Sequence, residues 1–488
     1  MDAFVVQNIL DVTKTLKVVC VGDLMIDRYV TGSVTRVSPE APIPVLRQNQ
    51  TRSTLGAVGN VARNVSHLGA QVTMIGVVGD DHAAHEATRL VANEQNIIGE
   101  LVTARGRATT VKTRYMAGTQ QLLRVDNEDP APLSAEVESF LIEAVVAEME
   151  DADLVLISDY AKGAVTNRLL ASITKAASER QTPVLLDPKG VDYQRYGPVN
   201  VVKPNARELS EFTRMPTETD EEVKAALLAA RDLCSAKLIL VTRGARGMSF
   251  LDDDDNLCLI PAQAREIYDV SGAGDTVLAS LGVALATGAD MSQAAGFAVL
   301  ASGLVVEKIG AAAVTPGELL RAAEVQKPLA GKIMDQDMMH EQLLRWRARG
   351  LRVGFTNGCF DLLHPGHVRL LAEAKASCDR LIVGLNSDDS VARLKGPSRP
   401  VQDEVARAEV LAALRDVDAV CVFEEDTPLK LIERLVPDVL VKGSDYKIDQ
   451  VVGGDVVTAA GGEVRLVDLV PGCSTTSAIA RCRQDAPA

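Results

Sequence analysis

The chain has 488 residues, a formal net charge of −15, 47% hydrophobic residues and 24% charged residues. A single hydrophobic core stops growing at roughly 250–300 residues, so we expect at least two domains. The acidic balance disfavours nucleic acid as the main partner, because affinity for a polyanion depends on dense cationic surface. No apolar run is long enough to span a bilayer, and the first residues lack the features of a signal peptide. We therefore expect a cytoplasmic protein without a membrane partner.

Apolar, β-rich runs alternate with alanine-rich helical segments through the first 320 residues. The predicted strands are 17–23, 72–80, 152–160, 182–188 and 237–247. This alternation predicts an α/β domain with a largely parallel sheet. The acidic run 252–255 indicates a hairpin turn and not a metal site. The eight cysteines are scattered singly, so we expect reduced thiols and no zinc site.

The pattern changes over residues 321–348, which show no strand signal and which we assign to a connecting helix or linker between the domains. New β-rich runs then follow at 351–360, 379–389, 417–423, 437–446 and 462–469. The chain is therefore predicted to have a first domain at 1–320 and a second, smaller α/β domain at 349–488.

The strongest chemical signal of the first domain is the stretch DVSGAGDT, residues 269–276, which precedes a helix-prone segment. Small residues let the backbone approach a phosphate, and the N–H groups at a helix N-terminus stabilise an anion. Asp275 would repel a bound phosphate at rest, so its presence indicates a base that accepts a proton from an attacking hydroxyl. A glycine-rich helix cap without chemistry is the alternative for such a loop taken alone.

This loop and the upstream segment GAVGNVA, residues 56–62, resemble the two signatures of the ribokinase-like carbohydrate kinases. The resemblance implies a ribokinase-like fold with Asp275 as the catalytic base. The anion hole that it implies consists of Gly272, Ala273 and Gly274. The sugar-binding residues that it implies are Asp23, Asp27, Gly56 and Asn60.

The same resemblance implies a nucleotide site around an Asn-x-x-Glu element. Its residues would be Asn205, Ala206, Arg207, Glu208, Thr242 and Gly244. Magnesium would be held through Glu208 and the phosphates, without a set of direct protein ligands. Two readings stay open elsewhere: Asp23 could instead cap a turn, and Lys162 and Arg124 could either bind a substrate phosphate or be solvated.

The second domain opens with a strand and the stretch GCFDLLHPGH, residues 358–367, which holds two of the six histidines. Both imidazoles fall at a strand-to-helix turn, where the start of a helix attracts anions. Zinc ligation and packing in the core are two interpretations of such a pair. We favour the third, in which the imidazoles donate to nucleotide phosphates.

The spacing G-x-F-D-x-x-H-x-G-H resembles the signature of the cytidylyltransferase-like nucleotidyltransferases. The resemblance implies a Rossmann-like domain in which His364 and His367 stabilise the transition state while a substrate phosphate attacks the nucleotide α-phosphate. The nucleotide-binding residues that it implies are Thr356, Asn357, Gly358, Phe360, Lys395, Arg399, Lys442, Ser474, Thr475 and Thr476.

The two signatures in this order resemble the family of bacterial bifunctional heptose kinase/adenylyltransferases. The resemblance implies ATP and Mg²⁺ as cofactors and two reactions: phosphorylation of D-glycero-β-D-manno-heptose 7-phosphate at C1, and adenylyl transfer to heptose 1-phosphate. The product would be ADP-heptose for lipopolysaccharide core, and a separate heptose bisphosphate phosphatase would act between the two steps. By analogy with related kinases, a homodimer is expected. The alternatives are a kinase/cytidylyltransferase for another sugar or polyol phosphate, and a sugar-nucleotide sensor with inactive sites.

Overall fold

The computed structural model describes residues 1–118, 120–262, 269–308, 310, 312–325, 329–444, 447 and 450–468. The chain forms two compact units, Met1–Gln326 and Lys327–Ala488. In the described residues, no helix has both the length and the apolar character needed to cross a membrane.

The first unit alternates strands and helices, as the sequence predicts. Its strands are β1 (Lys17–Gly22), β2 (Leu24–Val37), β3 (Pro44–Ala57), β4 (Gln71–Val78), β5 (Ile97–Thr103), β6 (Thr110–Ala117), β7 (Gln120–Asn127), β8 (Leu154–Ser158), β9 (Val184–Asp187), β10 (Val201–Val202), β11 (Leu238–Ile239), β12 (Val241–Thr242), β13 (Met248–Leu251) and β14 (Leu257–Ile260). Its helices are α1 (Ala3–Thr13), α2 (Val58–Leu68), α3 (His82–Ala92), α4 (Ala135–Glu148), α5 (Asn167–Arg180), α6 (Ala206–Thr213), α7 (Asp220–Leu233), α8 (Ala273–Ala286), α9 (Met291–Val305) and α10 (Pro316–Val325).

The centre of the first unit is a seven-stranded parallel sheet in the order β11-β10-β9-β8-β1-β4-β5. Successive side chains of β1 enter two different cores: Val18 and Cys20 pack on one face, and Val19 and Val21 pack on the other. Both faces are therefore covered, which explains why the strand reads as a continuous apolar run. Because β4 and β8 lie on opposite sides of β1, the carboxyl end of β1 is a switch point, the place where open α/β sheets bind ligands.

Two smaller sheets complete the first unit. The four-stranded side sheet, in the order β3-β2-β6-β7, starts one residue after β1 and was not predicted. Its polar, partly exposed strands lack the apolar runs by which the central strands are recognised. The third sheet contains the hairpin β13–β14, and the acidic run 252–255 forms its turn, so that prediction is confirmed.

The second unit is a six-stranded parallel sheet in the order β15-β18-β17-β16-β19-β20. Its strands are β15 (Ile333–Met334), β16 (Val353–Gly358), β17 (Arg380–Asn386), β18 (Ala419–Phe423), β19 (Val439–Gly443) and β20 (Glu463–Val467). Its helices are α11 (Leu329–Lys332), α12 (Gln336–Arg347), α13 (Pro365–Ala376), α14 (Asp388–Lys395), α15 (Glu404–Ala412), α16 (Leu429–Leu435) and α17 (Gly454–Ala459). Strands β17 and β19 flank β16, so the carboxyl end of β16 is the switch point of this sheet.

The segment 321–348, assigned from the sequence to a connecting helix or linker, contains helices and one short strand. Its first part continues α10 of the first unit, and β15 pairs with β18 of the second sheet. In α12, Met339, Leu343 and Trp346 are buried in the core of the second unit. Their spacing places them on one face of the helix, a pattern that the search for strand signals could not detect.

Candidate active sites

The glycine-rich loop of the first unit ends where α8 begins. Gly272 precedes the helix with a φ of +79°, a conformation that glycine adopts without steric cost. The first amides of a helix have no carbonyl partner inside the helix, so the Gly274 N–H group is suited to an anion. The Ala273 amide already donates to the Val270 carbonyl of the loop at 3.2 Å. The Asp269 carboxylate holds the loop in place by accepting from the Ser271 amide at 2.8 Å and the Gly310 amide at 2.9 Å.

Asp275 lies in the first turn of α8 and is 3% exposed. The Asn60 side-chain amide donates to one of its oxygens at 2.8 Å, and the Tyr160 hydroxyl donates to the other at 3.0 Å. Burial raises the pKa of Asp275 to about 7, although these two hydrogen bonds act in the opposite direction. Asp187 also raises this pKa, and Lys203 lowers it. A carboxyl group with a pKa near 7 can accept a proton from a substrate hydroxyl at neutral pH.

A cleft opens beside Asp275. The residues that line it are Met25, Asp27, Ala57, Asn60, Lys112, Arg114, Tyr160, Ser271, Gly272 and Asp275. Asp27 forms a salt bridge with Arg114. The predicted Gly56 acts through its lack of a side chain, because a Cβ at that position would lie 2.2 Å from the Asp27 carboxylate. The structure thus brings Asp27, Asn60, Gly272 and Asp275 together around one cleft.

Asp23 has a different role from the one predicted. Its two carboxylate oxygens accept from the backbone amides of Tyr160, Lys162 and Ala164 at 2.8, 2.9 and 3.0 Å. The side chain follows β1 and is buried, and it does not line the cleft. Asp23 therefore caps the loop after β8, and in doing so it positions Tyr160. The alternative reading of the sequence is also a capping role, but for the turn that follows Asp23 itself.

The predicted nucleotide residues lie around the start of α6. Asn205 and Glu208 form a capping box, in which each side chain accepts from the other's amide, at 2.9 and 3.0 Å. Thr242 forms a β-bridge with Asn205. Gly244, with a φ of +58°, has open space where a side chain would lie. Ala206 occupies the first turn of α6.

Arg207 departs from its predicted role. Its side chain is 86% exposed and pairs with Glu211 one turn along the same helix at 2.7 Å. Because this pairing directs the guanidinium along the helix towards Glu211, the structure does not bring it to the other predicted groups.

Two carboxylates are available for a phosphate-bound magnesium ion. Glu208 accepts from Lys189 at 2.9 Å, and Asp187 pairs with Lys203 at 3.0 Å. A Cβ on Gly274 would lie 3.7 Å from both Asp187 and Lys203, so this pair lies beside the anion loop. In the described ranges no three acidic, histidine or cysteine groups form a metal cluster. Such a donor set fits Mg²⁺, which keeps several waters and is held by one or two carboxylates together with substrate phosphates.

The second predicted site lies at the carboxyl end of β16. His364 is the N-cap of α13, with Pro365 at the first helical position. The rings of His364 and His367 stack, with centroids 3.8 Å apart and planes 17° apart, and the Phe360 ring lies 5.0 Å from His367. Phe360 has a φ of +43°, a strained conformation for a bulky residue of the kind found at functional sites.

Burial lowers the pKa of both imidazoles, and it lowers the pKa of His367 to about 4, with His364 as a further cause. Both rings are therefore neutral at pH 7. The Nδ1 atoms of both histidines are buried without a hydrogen-bond partner in the described part of the chain, as are Thr356 Oγ1 and Asn357 Oδ1. Buried polar atoms are normally satisfied, so four unsatisfied atoms at one end of β16 indicate a bound ligand or water.

Asp361 and Arg407 hold the loops around the histidines. Asp361 pairs with Arg399 and accepts from the Val401 amide at 2.6 Å. Arg407 has a fully buried side chain that donates to the Cys359 carbonyl at 2.6 Å and to Asp388 at 2.7 Å.

Among the predicted phosphate contacts of this site, Arg399 is thus already engaged by Asp361. Lys442 donates to the Asn357 carbonyl at 3.1 Å, directly beside Gly358. Lys395 is exposed at the end of α14. The remaining predicted residues, Ser474, Thr475 and Thr476, lie outside the described residues.

Comparisons with known proteins identify the family of each part of the chain. The pfkB family of carbohydrate kinases matches residues 15–317, and the cytidylyltransferase-like family matches residues 355–470. The bifunctional protein HldE of Hyphomonas neptunium is 50% identical over 476 residues, which cover 97% of this chain and 98% of that protein. The chain belongs to the HldE family. The HldE protein of Rhodospirillum rubrum is 49% identical, with coverage of 96% of this chain and 94% of that protein.

The first unit also has the fold of solved pfkB-type kinases. Phosphofructokinase-2 from Escherichia coli, in complex with substrates and products, gives a TM-score of 0.54 at 21% identity, covering 63% of this chain and 98% of that chain. Ribokinase from Arabidopsis thaliana, complexed with ribose and ATP, gives 0.51 at 21% identity, with the same coverage. The predicted ribokinase-like fold is confirmed. An HldE-family chain is thus an enzyme with a carbohydrate kinase domain followed by a nucleotidyltransferase domain.

Several residues at the two sites carry no motif in the sequence. They are Lys112, Arg114, Tyr160 and Arg407. Tyr160 is 115 residues from the carboxylate that it contacts, and the cations look like ordinary solvated side chains. One signal was available for Tyr160: it follows β8, whose carboxyl end lies beside that of β1 in a parallel sheet.

Proposed function

We propose that the first unit transfers the γ-phosphoryl group of ATP to the C1 hydroxyl of D-glycero-β-D-manno-heptose 7-phosphate. The observation that carries this proposal is the buried Asp275 at the start of α8, with its pKa near 7 and an anion-binding turn beside it. The C1 hydroxyl gives its proton to the Asp275 carboxylate while its oxygen attacks the γ-phosphorus, and ADP leaves. The N–H groups of Gly272 and Gly274 stabilise the charge on the transferring phosphoryl group, and the Ala273 N–H group would join them by leaving the Val270 carbonyl.

Magnesium, when bound, neutralises charge on the polyphosphate. The residues that would hold it are Glu208 and Asp187, whose lysine partners can move to phosphate oxygens. The proposed sugar contacts are Asp27 and Asn60. Asp23 and Gly56 support them, the first through the loop of Tyr160 and the second by leaving room for the Asp27 carboxylate.

For the second unit we infer adenylyl transfer from ATP to heptose 1-phosphate. A phosphate oxygen of the sugar attacks the α-phosphorus, and pyrophosphate leaves. The two neutral, stacked imidazoles supply hydrogen bonds to the phosphate oxygens, which gain charge in the transition state. Thr356, Asn357, Gly358, Phe360 and Lys442 surround the same turn and would contact the nucleotide.

The two reactions do not connect directly. The first gives a sugar 1,7-bisphosphate, whereas the second takes a sugar 1-phosphate, so a phosphomonoesterase must remove the 7-phosphate between them. We propose a separate enzyme for this step.

The test is an assay of the purified chain with heptose 7-phosphate and with heptose 1-phosphate, each offered ATP, CTP, GTP and UTP. We expect heptose 1,7-bisphosphate from the first substrate, and ADP-heptose with pyrophosphate from the second, both detected by mass spectrometry. A preference for CTP would support a cytidylyltransferase for another substrate. Tight sugar-nucleotide binding without turnover would support the sensor.

A further inference from the structure

The face of the side sheet beside Asp275 carries a row of charged side chains. Asp27 on β2 is the register partner of Lys112 on β6, and Lys112 is the register partner of Asp126 on β7. Two residues further along, Arg114 is opposite Arg124. Side chains two residues apart on a strand point to the same face, so these five charged groups lie together.

Four basic side chains lie on this face or in the loop beside it: Lys112, Arg114, Arg124 and Lys162. All but Lys112 have a carboxylate partner in the described residues. Arg114 pairs with Asp27, and Arg124 pairs with Asp126 at 3.0 Å. Lys162, in the loop after β8, pairs with Glu128 at 2.7 Å. Lys112 forms no salt bridge within the described residues. Its ammonium group lies over the Tyr160 ring instead, 5.6 Å from the ring centroid.

The surroundings of Lys112 disfavour its charge. The side chain is half-buried and lines the cleft, and burial lowers its pKa. The neighbouring charges of Lys162 and Arg124 lower that pKa further, while Asp126 and Asp27 raise it. Buried charges are normally paired, so a half-buried ammonium group without a carboxylate partner favours an anion in the cleft.

We propose that Lys112 binds a phosphoryl group at the far end of the acceptor sugar, so that the cleft selects phosphorylated sugars over neutral ones. This inference rests on the proposed kinase function of the Asp275 site. Tyr160 contacts both of the groups that would hold the acceptor: its hydroxyl contacts Asp275 and its ring contacts Lys112. An acceptor that places its reacting hydroxyl at Asp275 and its phosphoryl group at Lys112 therefore lies along this tyrosine side chain.

The anion belongs to the acceptor and not to the nucleotide. The cleft of Lys112 is lined by Asp27 and Asn60, the proposed sugar contacts. The proposed nucleotide residues Asn205, Glu208 and Thr242 do not line it. The γ-phosphoryl group meets the acceptor at Gly272, which lines the same cleft next to Asp275.

The test compares Lys112→Met, which removes the charge and keeps the length of the side chain, with Lys112→Arg. For Lys112→Met we expect the KM for heptose 7-phosphate to rise roughly 10- to 100-fold, the effect of losing a hydrogen bond to a charged group. The KM for ATP should change less than about twofold on that scale. The wild-type preference for heptose 7-phosphate over unphosphorylated heptose should fall by the same factor, and Lys112→Arg should retain most of it.

Arg168→Met is the matched control, since Arg168 is a cation of the same unit that is already paired with Glu138 and lies outside the cleft. It should leave all these constants unchanged. Thermal unfolding of each preparation shows whether the variant is folded, and its adenylyl transfer activity, which belongs to the second unit, normalises the amount of protein. An unchanged KM for heptose 7-phosphate in Lys112→Met would overturn the inference, and so would a rise confined to the KM for ATP. A wild-type chain that does not phosphorylate heptose 7-phosphate would instead overturn the proposed function.

Discussion

Both sites act on phosphoryl groups, but burial shifts the pKa values of their main side chains in opposite directions. In the first unit, burial raises the pKa of Asp275 to about 7. In the second unit, burial lowers the pKa of His367 to about 4. The cause is the same in both, because a poorly solvated environment disfavours whichever form is charged.

The chemical consequences differ. A carboxylate with a raised pKa is a stronger base, and it suits a reaction in which a hydroxyl must lose a proton. An imidazole whose pKa is lowered to about 4 is a weak base and acts mainly by hydrogen bonding, which suits a nucleophile that is already an anion. The comparison predicts that the first site depends on proton transfer and that the second depends on positioning and charge stabilisation.

The largest effect is expected from Asp275→Asn. The amide keeps the shape of the side chain but cannot accept the proton, so sugar phosphorylation should fall roughly 10²- to 10⁴-fold, the range for general-base catalysis. Adenylyl transfer should be unchanged, because His364 and His367 belong to a separate unit. The measurement is turnover in both assays on one preparation, and loss of both activities would contradict the independence of the two sites.

His367→Ala tests the other half of the comparison. It removes one of the two stacked imidazoles, and adenylyl transfer should fall roughly 10²- to 10³-fold, as for the loss of one donor to a developing charge. Sugar phosphorylation should remain. His340→Ala is a suitable control, because His340 lies on α12 of the same unit, away from this turn. Near-normal pyrophosphate release by His367→Ala would exclude the proposed role.

A smaller effect is expected from Arg407→Met. The buried guanidinium fixes the Cys359 carbonyl, which precedes Phe360 in the histidine loop. Its loss leaves that carbonyl and Asp388 without their donor, so we expect a lower thermal stability of the second unit and about 10-fold slower adenylyl transfer. The control is Arg393→Met, which removes a half-exposed arginine from α14. Equal effects of the two substitutions would show that Arg407 has no special role.

The residues behind these predictions differ in how well the sequence reveals them. Asp275, Gly272, His364 and His367 lie in short motifs whose chemistry follows from neighbouring residues, because each motif forms one turn between a loop or strand and a helix. The fold class and the central strands could also be predicted, since strands buried on both faces are continuous apolar runs.

The side sheet and the residues that act through long-range contacts could not be predicted in this way. Lys112 occurs on a strand with alternating polar residues, and only the pairing of β2, β6 and β7 shows that it lies between two carboxylates already paired with arginines. Asp23 was assigned to the sugar by resemblance to the kinase family. That resemblance cannot show that the carboxylate oxygens of Asp23 already accept from three backbone amides.

The smallest effect, and the one that most sharpens the comparison, is expected from Tyr160→Phe. The Tyr160 hydroxyl donates to Asp275 and lowers the pKa of that carboxyl group, in opposition to burial. Without this donor the pKa of Asp275 should rise. The kinase activity of the wild type should fall below about pH 7, where Asp275 becomes protonated, and in the variant this fall should occur at a higher pH. Activity should fall a few-fold at pH 7 and recover at pH 9, because the base is then deprotonated in both proteins.

Tyr193→Phe, which removes a buried hydroxyl outside the cleft, should leave the pH profile of the kinase unchanged. Adenylyl transfer by the same preparations should not lose activity between pH 6 and 8 through protonation of His367, whose pKa burial lowers to about 4. A Tyr160→Phe profile that loses activity equally at every pH would mean that the hydroxyl only supports the fold and does not help to set the pKa of Asp275.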